Sequence, residues 1–171
     1  ISKRSSGKMG YAVDESARDR GARTVLVAAP TALPDTVGVL VTHTETALEM
    51  REALLDASAD ADALIMAAAV ADWRPVTTAS QKIKKGDEST WSIELTKNPD
   101  ITAEVQTDGL IKVGFAAESE DLVANARSKI VSKGLHLIAA NDITAEEGGF
   151  GSDDNRVLLM DREGGVEELP L

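Results

Sequence analysis

The sequence predicts an α/β domain of the doubly wound type, with a mainly parallel sheet and helices on both faces. Four apolar runs are continuous instead of alternating, as in strands that are buried on both faces. They span residues 24–28, 63–69, 112–116 and 136–140, and helical stretches lie between them. Strands that alternate with helices indicate βαβ units. Aromatic residues make up only 3% of the 171 residues, so the core must be aliphatic, which suits closely packed helices and parallel strands.

Sequence signals at helix ends predict three long helices. The first spans residues 9–20 and ends before Gly21, and the last spans residues 121–133 and ends before Gly134. Glycine is the common residue just past a helix C-terminus. The middle helix, residues 46–57, opens with Thr46 and Glu49 at capping-box spacing. Asn98 followed by Pro99 predicts one more helix start, with Asn98 as the N-cap.

Two further segments have hairpin character. Residues 73–96 leave a strand end, carry a lysine cluster and turn at Gly86 and Asp87. They return in alternation through Trp91, Ile93 and Leu95. An excursion of this length in a compact domain is often a lid or binding loop, and we call it the flap. Near the C-terminus, two short apolar runs flank Gly164 and Gly165, which predicts a β-hairpin.

Composition excludes several classes of function. The chain has 18 basic and 29 acidic residues, a net charge of −11, which argues against nonspecific binding to nucleic acid or anionic membranes. It has no cysteine, so a disulfide scaffold, a thiolate nucleophile and a cysteine-ligated metal or cluster are excluded, and its two histidines leave little room for a histidine-rich metal site. No run approaches the ~18 apolar residues of a membrane span, and no signal peptide is recognisable, so we expect a cytoplasmic protein. The chain begins without Met, and we expect a single domain, residues 1–171, trimmed at both ends.

The strand ends and the N-terminal turn are candidate binding sites. In open α/β sheets ligands bind beyond the carboxyl ends of the strands, where Asp72, Glu118 and Asp142 follow three of the predicted strands. Residues 5–10, SSGKMG, open a helix whose N–H groups could hold a phosphate, or are simply a capped helix start. They are not a P-loop, because the first glycine is absent and Met9 stands where Ser or Thr would bind magnesium. No GxGxxG fingerprint is present.

The flap concentrates positive charge in an acidic chain. Lys82, Lys84 and Lys85 lie within four residues of one another. Such a run is most often a solvated loop. The functional alternative is a flap that brings positive charge to a triphosphate and its departing pyrophosphate. The residues alone leave both interpretations open.

Eight ordered segments together resemble a known family. They are RSSGKMG, PTALP, AAAVADWRP, KIKK, KNPDI, VGFAAE, KGLHLIAAND and GFGSDDN, and they run from Arg4 to about Leu169. In this order and spacing they resemble the bacterial phosphopantothenoylcysteine synthetases, which are often the C-terminal half of a bifunctional flavoprotein of coenzyme A biosynthesis. The resemblance implies a Rossmann-like fold, a homodimer and a flavin-dependent decarboxylase domain upstream in the natural chain. It implies no flavin site in this segment.

The resemblance also implies a reaction. The carboxylate of phosphopantothenate attacks the α-phosphorus of CTP, which gives an acyl-cytidylate and pyrophosphate, and the amine of L-cysteine then displaces CMP. Activation brings two anions together, so the site needs Mg²⁺ and positive side chains to offset their repulsion.

The resemblance assigns site residues to each part of this reaction. Lys82 on the flap would stabilise the activation step, and Ala69 would leave room for the intermediate. Lys3 stands where the family has an asparagine that handles the acyl-cytidylate. The phosphopantothenate would bind at Arg4, Ser5, Ser6, Gly7 and Lys8. The nucleotide would contact Met66, Ala67, Ala68, Asp72, Lys82, Asn98, Pro99, Asp100, Ile101, Phe115, Lys129 and Lys133.

Two other interpretations stay open from the sequence. A noncatalytic nucleotide-binding or dimerisation module is compatible with Lys3 and with the absence of the family's preceding glycine-rich segment. A nicotinamide-dependent oxidoreductase on a Rossmann-like sheet is less favoured, because GxGxxG is missing. The residues also leave CTP and ATP open, since the choice of base depends on a few hydrogen bonds.

Overall fold

The computed structural model describes residues 6–84, 89–118, 121–142 and 157–169, without the side chains of Glu118 and Asp142. These residues form an α/β fold with a mixed sheet. The elements are α1 (Lys8–Asp19), β1 (Val25–Ala28), β2 (Leu40–His43), α2 (Ala47–Ser58), β3 (Ala63–Met66), β4 (Trp73–Pro75), β5 (Leu95–Lys97), α3 (Ile101–Glu104), β6 (Ile111–Glu118), α4 (Leu122–Lys133), β7 (Leu137–Asp142), β8 (Val157–Asp161) and β9 (Val166–Glu168).

The main sheet has five strands in the order β3-β6-β7-β8-β9. Strands β3, β6 and β7 are parallel, as predicted, and β8 and β9 continue the sheet as the predicted antiparallel hairpin. Strands β1 and β2 pair in parallel as a separate two-stranded sheet. The base of the flap closes as a third sheet, in which β4 and β5 are antiparallel.

Two hydrophobic clusters cover one face of the main sheet. In the first, Ile130 of α4 packs with Ala116, Ile138 and Met160 of the sheet. The second joins Met50 and Leu54 of α2 and the α3 segment to Leu64 of β3. Leu64 lies opposite Lys112, which shares its face of β6 with Gly114 and Ala116. The helices that carry candidate site residues are therefore packed against the parallel strands.

The three long predicted helices are present, with ends within one residue of the predicted positions. Thr46 caps α2, and the capping box with Glu49 is formed in both directions. Gly134 ends α4 with a φ of 61°, and Gly21, just beyond α1, has a φ of 89°. Both glycines adopt the left-handed conformation that L-residues with a Cβ avoid.

The short helix after the flap begins later than predicted. Asn98 is not the N-cap: Asp100 is, and its carboxylate accepts from the amide of Ala103 at 3.2 Å. Instead, the side chain of Asn98 accepts a hydrogen bond from Arg74 of β4 and donates one to the carbonyl oxygen of Ala71. The prediction was wrong because the sequence signal cannot distinguish an amide that caps the helix from one that links neighbouring segments.

Strand lengths also differ from the prediction. Strand β3 stops at Met66 instead of residue 69, because the chain then turns out of the ladder with β6. Strand β2 was missed: its sequence, LVTH, is too short and too polar to stand out. On the returning side of the flap only Leu95–Lys97 is in a strand, while the predicted turn at Gly86 and Asp87 lies outside the described residues. Among the described residues, no helix has the length and apolar character needed to span a membrane.

The capping box of α2 predicts a pH dependence of stability. Backbone N–H groups of Glu45 and Thr46 donate to the Glu49 carboxylate and lower its pKa below the ordinary 4.5. The unfolded chain therefore takes up this proton at a higher pH than the folded chain. The contribution of the Glu49 carboxylate to the free energy of unfolding should be fully present above pH 4.5 and be lost as the pH falls through the folded-state pKa of Glu49.

The measurement is the difference in urea midpoint between the wild type and Glu49→Gln along a pH series. We expect the wild type to be more stable at neutral pH and the difference to vanish in acid. Glu52→Gln is the matched control, because Glu52 is exposed on the same helix and its side chain forms no hydrogen bond or ion pair among the described residues. A wild-type advantage that persists at the acid end would contradict the prediction.

Candidate functional site

The carboxyl ends of three parallel strands meet at one edge of the main sheet. Met66, the last residue of β3, lies opposite Gly114 of β6, and the next residue of β6, Phe115, lies opposite Ala139 of β7. The alanines 67–69 continue from Met66 at this edge. Small side chains here leave backbone accessible, and this is the edge at which open α/β sheets bind ligands.

The start of α1 lies against the same edge. A Cβ on Gly10 would be 3.7 Å from Cβ of Ala67, so the helix and the strand end are in close contact. Gly7 precedes the helix with a φ of 78°, and a Cβ there would be 2.8 Å from Cγ2 of Thr31. Gly7 is thus required both by its conformation and by the approach of the loop after β1.

An open cleft of ≈ 600 Å³ lies between the α1 N-terminus and the loop after β1. It is lined by Ser6, Lys8, Pro30, Thr31, Ala32 and Leu33. Amides at the first turn of a helix and the positive end of its dipole favour an anion. The cleft therefore combines a site suited to a phosphate with an apolar wall.

Asn98 connects the end of β3 to the base of the flap. Its Nδ2 donates to the carbonyl oxygen of Ala71 at 2.7 Å, and its backbone N–H donates to the carbonyl oxygen of Asp72 at 2.8 Å. Nη1 of Arg74 donates to Oδ1 of Asn98 at 3.1 Å and to the carbonyl oxygen of Lys97 at 2.6 Å. These bonds fix the segment that carries Asp72 next to the segment that leads into α3.

An ion pair joins α3 to the end of α4. Nζ of Lys133 lies 3.0 and 2.8 Å from the two carboxylate oxygens of Asp100, the N-cap of α3. The two side chains are 32% and 49% exposed, so the pair adds little to stability. Its effect is geometric: it holds the Lys133 ammonium over the α3 N-terminus. Lys129, one turn earlier on α4, shares that side of the helix.

A second lysine lies beneath this pair. Nζ of Lys112 donates to the carbonyl oxygens of Thr102, Val105 and Lys133. Burial lowers the pKa of Lys112, and the negative charge of Asp100 opposes that change. A buried ammonium is tolerated only when its protons are hydrogen-bonded, and here all three are.

The structure brings about half of the predicted site residues to the carboxyl edge of the parallel strands, and the roles assigned to them stay predictions. Those at or beside this edge are Gly7, Lys8, Met66, Ala67, Ala68, Ala69, Asp72, Asn98, Pro99 and Phe115. Asp100 follows on the N-terminus of α3, where it pairs with Lys133, and Ile101 is buried in the second hydrophobic cluster. Ser6 lines the adjacent cleft. Lys82 is exposed on the flap and forms no hydrogen bond or ion pair within the described ranges. Lys3, Arg4, Ser5 and Lys85 lie outside the described residues.

Sequence reasoning missed Arg74 and Lys112. Arg74 lies within the AVADWRP segment, directly after the strand end, but nothing in the pattern shows that it supports Asn98. Lys112 had a usable signal: it is a lysine inside an otherwise apolar strand, and buried lysines are rare unless they are paired. Of the acidic residues at strand ends, Asp72 is exposed at the site, while the side chains of Glu118 and Asp142 are outside the description.

The fold and the site together define a Rossmann-like α/β domain with its candidate ligand site at the carboxyl edge of the parallel strands. Residues 1–171 match the family described as "DNA/pantothenate metabolism flavoprotein C-terminal domain", and the chain belongs to this family.

Curated relatives and solved structures agree with this membership. The chain is 45% identical over 175 residues to the Coenzyme A biosynthesis bifunctional protein CoaBC of Vibrio cholerae, covering 100% of this chain and 44% of that protein. It is 40% identical to the protein of the same name from Bacillus subtilis, covering 98% of this chain and 42% of that protein. The chain thus spans less than half the length of these relatives. The crystal structure of the C-terminal domain of CoaBC matches with a TM-score of 0.82 and 34% identity, covering 100% of this chain and 76% of that one.

The close approach at Gly7 makes a prediction about stability. Gly7→Ala introduces both a left-handed alanine and an overlap with Thr31, whereas Gly21→Ala introduces only the former, since nothing lies within 4 Å of a Cβ there. We expect Gly21→Ala to cost about 1–2 kcal/mol and Gly7→Ala to cost roughly 1–3 kcal/mol more. Urea unfolding followed by circular dichroism measures both, and equal losses would show that the overlap is relieved without cost.

Proposed function

We propose that this chain is the synthetase domain of coenzyme A biosynthesis. It would be a CTP-dependent ligase that joins phosphopantothenate to L-cysteine through an acyl-cytidylate. The observation that carries the proposal is a chain of contacts. The start of α1 lies against Ala67, Asn98 is hydrogen-bonded to the backbone of Asp72, and Asp100, two residues after Asn98, is paired with Lys133. The names of the CoaBC relatives support the pathway.

The nucleotide would lie across the end of β3 and the start of α3. The accessible backbone of Ala67 and Ala68 would approach a flat base, and Phe115 of the neighbouring strand would lie beside that base. Lys133 and Lys129 present positive charge to phosphates or ribose. Charge-assisted hydrogen bonds to phosphate are about twice as strong as neutral ones, which suits these lysines to a triphosphate.

The phosphopantothenate would occupy the cleft at the start of α1. Its phosphate would face Ser6, Gly7 and Lys8, where helix amides and a lysine favour an anion. Arg4 and Ser5 precede this turn and belong to the same proposal. The cleft lies at the start of α1, and Gly10 of this helix lies against Ala67, so a substrate held in the cleft would extend its carboxylate towards the nucleotide.

The chemistry requires that two anions meet. A carboxylate oxygen of phosphopantothenate forms a bond to the α-phosphorus of CTP as the bond to pyrophosphate breaks. The cysteine amine then attacks the acyl carbon, and CMP leaves with the bonding electrons while the amine loses a proton. Lys82 on the flap would stabilise the charge that develops on activation, Ala69 would leave space for the intermediate, and Lys3 would lie near it.

Magnesium fits this site as a companion of the nucleotide. Among the described residues there is no group of three acidic, histidine or cysteine side chains that could hold a metal ion. Mg²⁺ is usually bound through substrate phosphates with one or two carboxylates, and Asp72 is an exposed carboxylate in the segment that follows β3. When bound, the ion would neutralise charge on the phosphates.

The flap and the length of the relatives suggest partners. Trp73 and Trp91 are 52% and 67% exposed, and Ile93 and Leu95 are also exposed. A group of large apolar side chains on a surface is typical of an interface, which supports a homodimer formed through the flap. An upstream flavin-dependent decarboxylase domain in the natural chain and a cytoplasmic location complete the proposal.

The ligase proposal predicts product release that depends on both substrates. Pyrophosphate should appear only with CTP, Mg²⁺ and phosphopantothenate together, and CMP only after L-cysteine is added. Lys82→Gln should abolish pyrophosphate release, because the flap would no longer offset the developing charge. Arg162→Gln, an equal charge change in the exposed turn after β8, is the matched control. Normal release by Lys82→Gln would assign the flap lysines to a solvated loop.

Ligand-induced stabilisation separates the ligase from the alternatives. CTP with Mg²⁺ should raise the melting temperature, while NADH should not. At a hundredfold excess of CTP over its Kd, the added free energy of unfolding is about 2.7 kcal/mol. ATP with Mg²⁺ provides the comparison that tests the choice of base. Stabilisation by NADH alone would favour an oxidoreductase, and CTP binding without pyrophosphate release would favour a noncatalytic module.

A further inference from the structure

Lys112 connects two elements of the proposed nucleotide site, although it lies outside that site. It lies on β6 between β3 and β7 and is 8% exposed. Its Nζ lies 3.1 Å from the carbonyl oxygen of Thr102, 3.0 Å from that of Val105 and 2.8 Å from that of Lys133. An ammonium has three protons to donate, so each is used on a different carbonyl.

The carbonyls come from the ends of two helices. Thr102 and Val105 belong to α3 and its C-terminal cap, and Lys133 is the last residue of α4. Carbonyls at helix C-termini lack partners within the helix and favour a positive charge. The fold makes room for this contact, because a Cβ on Gly134 would lie 3.4 Å from Nζ of Lys112.

The same two helices carry the exposed ion pair of the candidate site. Asp100 is the N-cap of α3, and Lys133 extends its side chain from α4 to it. Lys112 therefore donates to the backbone carbonyl of Lys133, and the side chain of Lys133 pairs with Asp100. The Asp100 charge also favours the charged form of Lys112, so the three groups form one electrostatic unit.

We propose that Lys112 is a positioning residue for the nucleotide site. By holding the α3 carbonyls and the last carbonyl of α4 on one ammonium, it fixes the separation of Asp100 and Lys133. The Lys133 ammonium is then held ready for the phosphates or ribose. This inference rests on the proposed function for its ligand, but the effect on the ion pair is independent of it.

The first arm of the test uses no nucleotide. The variants are Lys112→Gln, whose amide can still donate to two carbonyls, and Lys112→Met, which donates to none; Arg162→Gln is the charge-matched control. Nitrogen-15 NMR of the lysine ammonium groups should show Lys133 protected from proton exchange in the wild type and the control. In both Lys112 variants we expect this protection to be lost, most completely with Met.

The second arm measures affinity by calorimetry with CTP and, separately, with phosphopantothenate. We expect both Lys112 variants to bind CTP roughly three- to tenfold more weakly, in the lower part of the range for coupled neighbouring residues, and to bind phosphopantothenate as the wild type does. If the effect acts through Lys133, adding Lys112→Met to Lys133→Met should weaken CTP binding no further. If Lys112 only stabilised the fold, the variants would have a lower melting temperature but would not bind CTP more weakly while binding phosphopantothenate normally.

The outcomes separate the two proposals. If the wild type shows a protected Lys133 that the variants lose, but does not bind CTP, the nucleotide proposal fails and the positioning role of Lys112 stands. If the variants keep both the protection and the CTP affinity, the positioning role is overturned and the nucleotide proposal stands. If neither variant folds by circular dichroism, Lys112 is a folding determinant and the inference is likewise overturned.

Discussion

The register of β6 between its two parallel neighbours is the constraint on which the site depends. It places Met66, the end of β3, opposite Gly114, and it pairs β6 with β7 until both strands end at Glu118 and Asp142. A slip of one residue would reverse the faces of every side chain on β6. Lys112 would then point away from the helix carbonyls, and Gly114, where a Cβ would lie 2.7 Å from Leu135, would no longer face that side chain.

The sequence allowed the parallel strands and the long helices to be predicted because their signals are local. Continuous apolar runs, a capping box at Thr46 and glycines after two helices each depend on a few neighbouring residues. The errors arise where the decisive partner is distant. Asn98 looks like a cap until the carbonyl of Ala71, 27 positions earlier, is brought to its amide. Strand β2 depends on its pairing with β1 more than on its own composition.

The same distinction applies to the candidate site. The motifs predicted which segments meet, because parallel strands end at a common edge. They did not predict how the charges are arranged there. The pairing of Lys133 with Asp100, and the use of Lys112 on three carbonyls, depends on the approach of α3 to the end of α4. An acidic chain thereby holds the ammonium groups of Lys133 and Lys112 on internal partners before any ligand arrives.

The position of the two tryptophans determines what an optical experiment on this protein reports. Both belong to the flap: Trp73 opens its base, where Nζ of Lys97 lies 5.6 Å from the ring centroid, and Trp91 is more exposed still. The hydrophobic clusters under the main sheet contain neither. Intrinsic tryptophan fluorescence is therefore a local reporter of the flap, sensitive to its burial by a ligand or a second subunit and nearly blind to packing beneath the sheet.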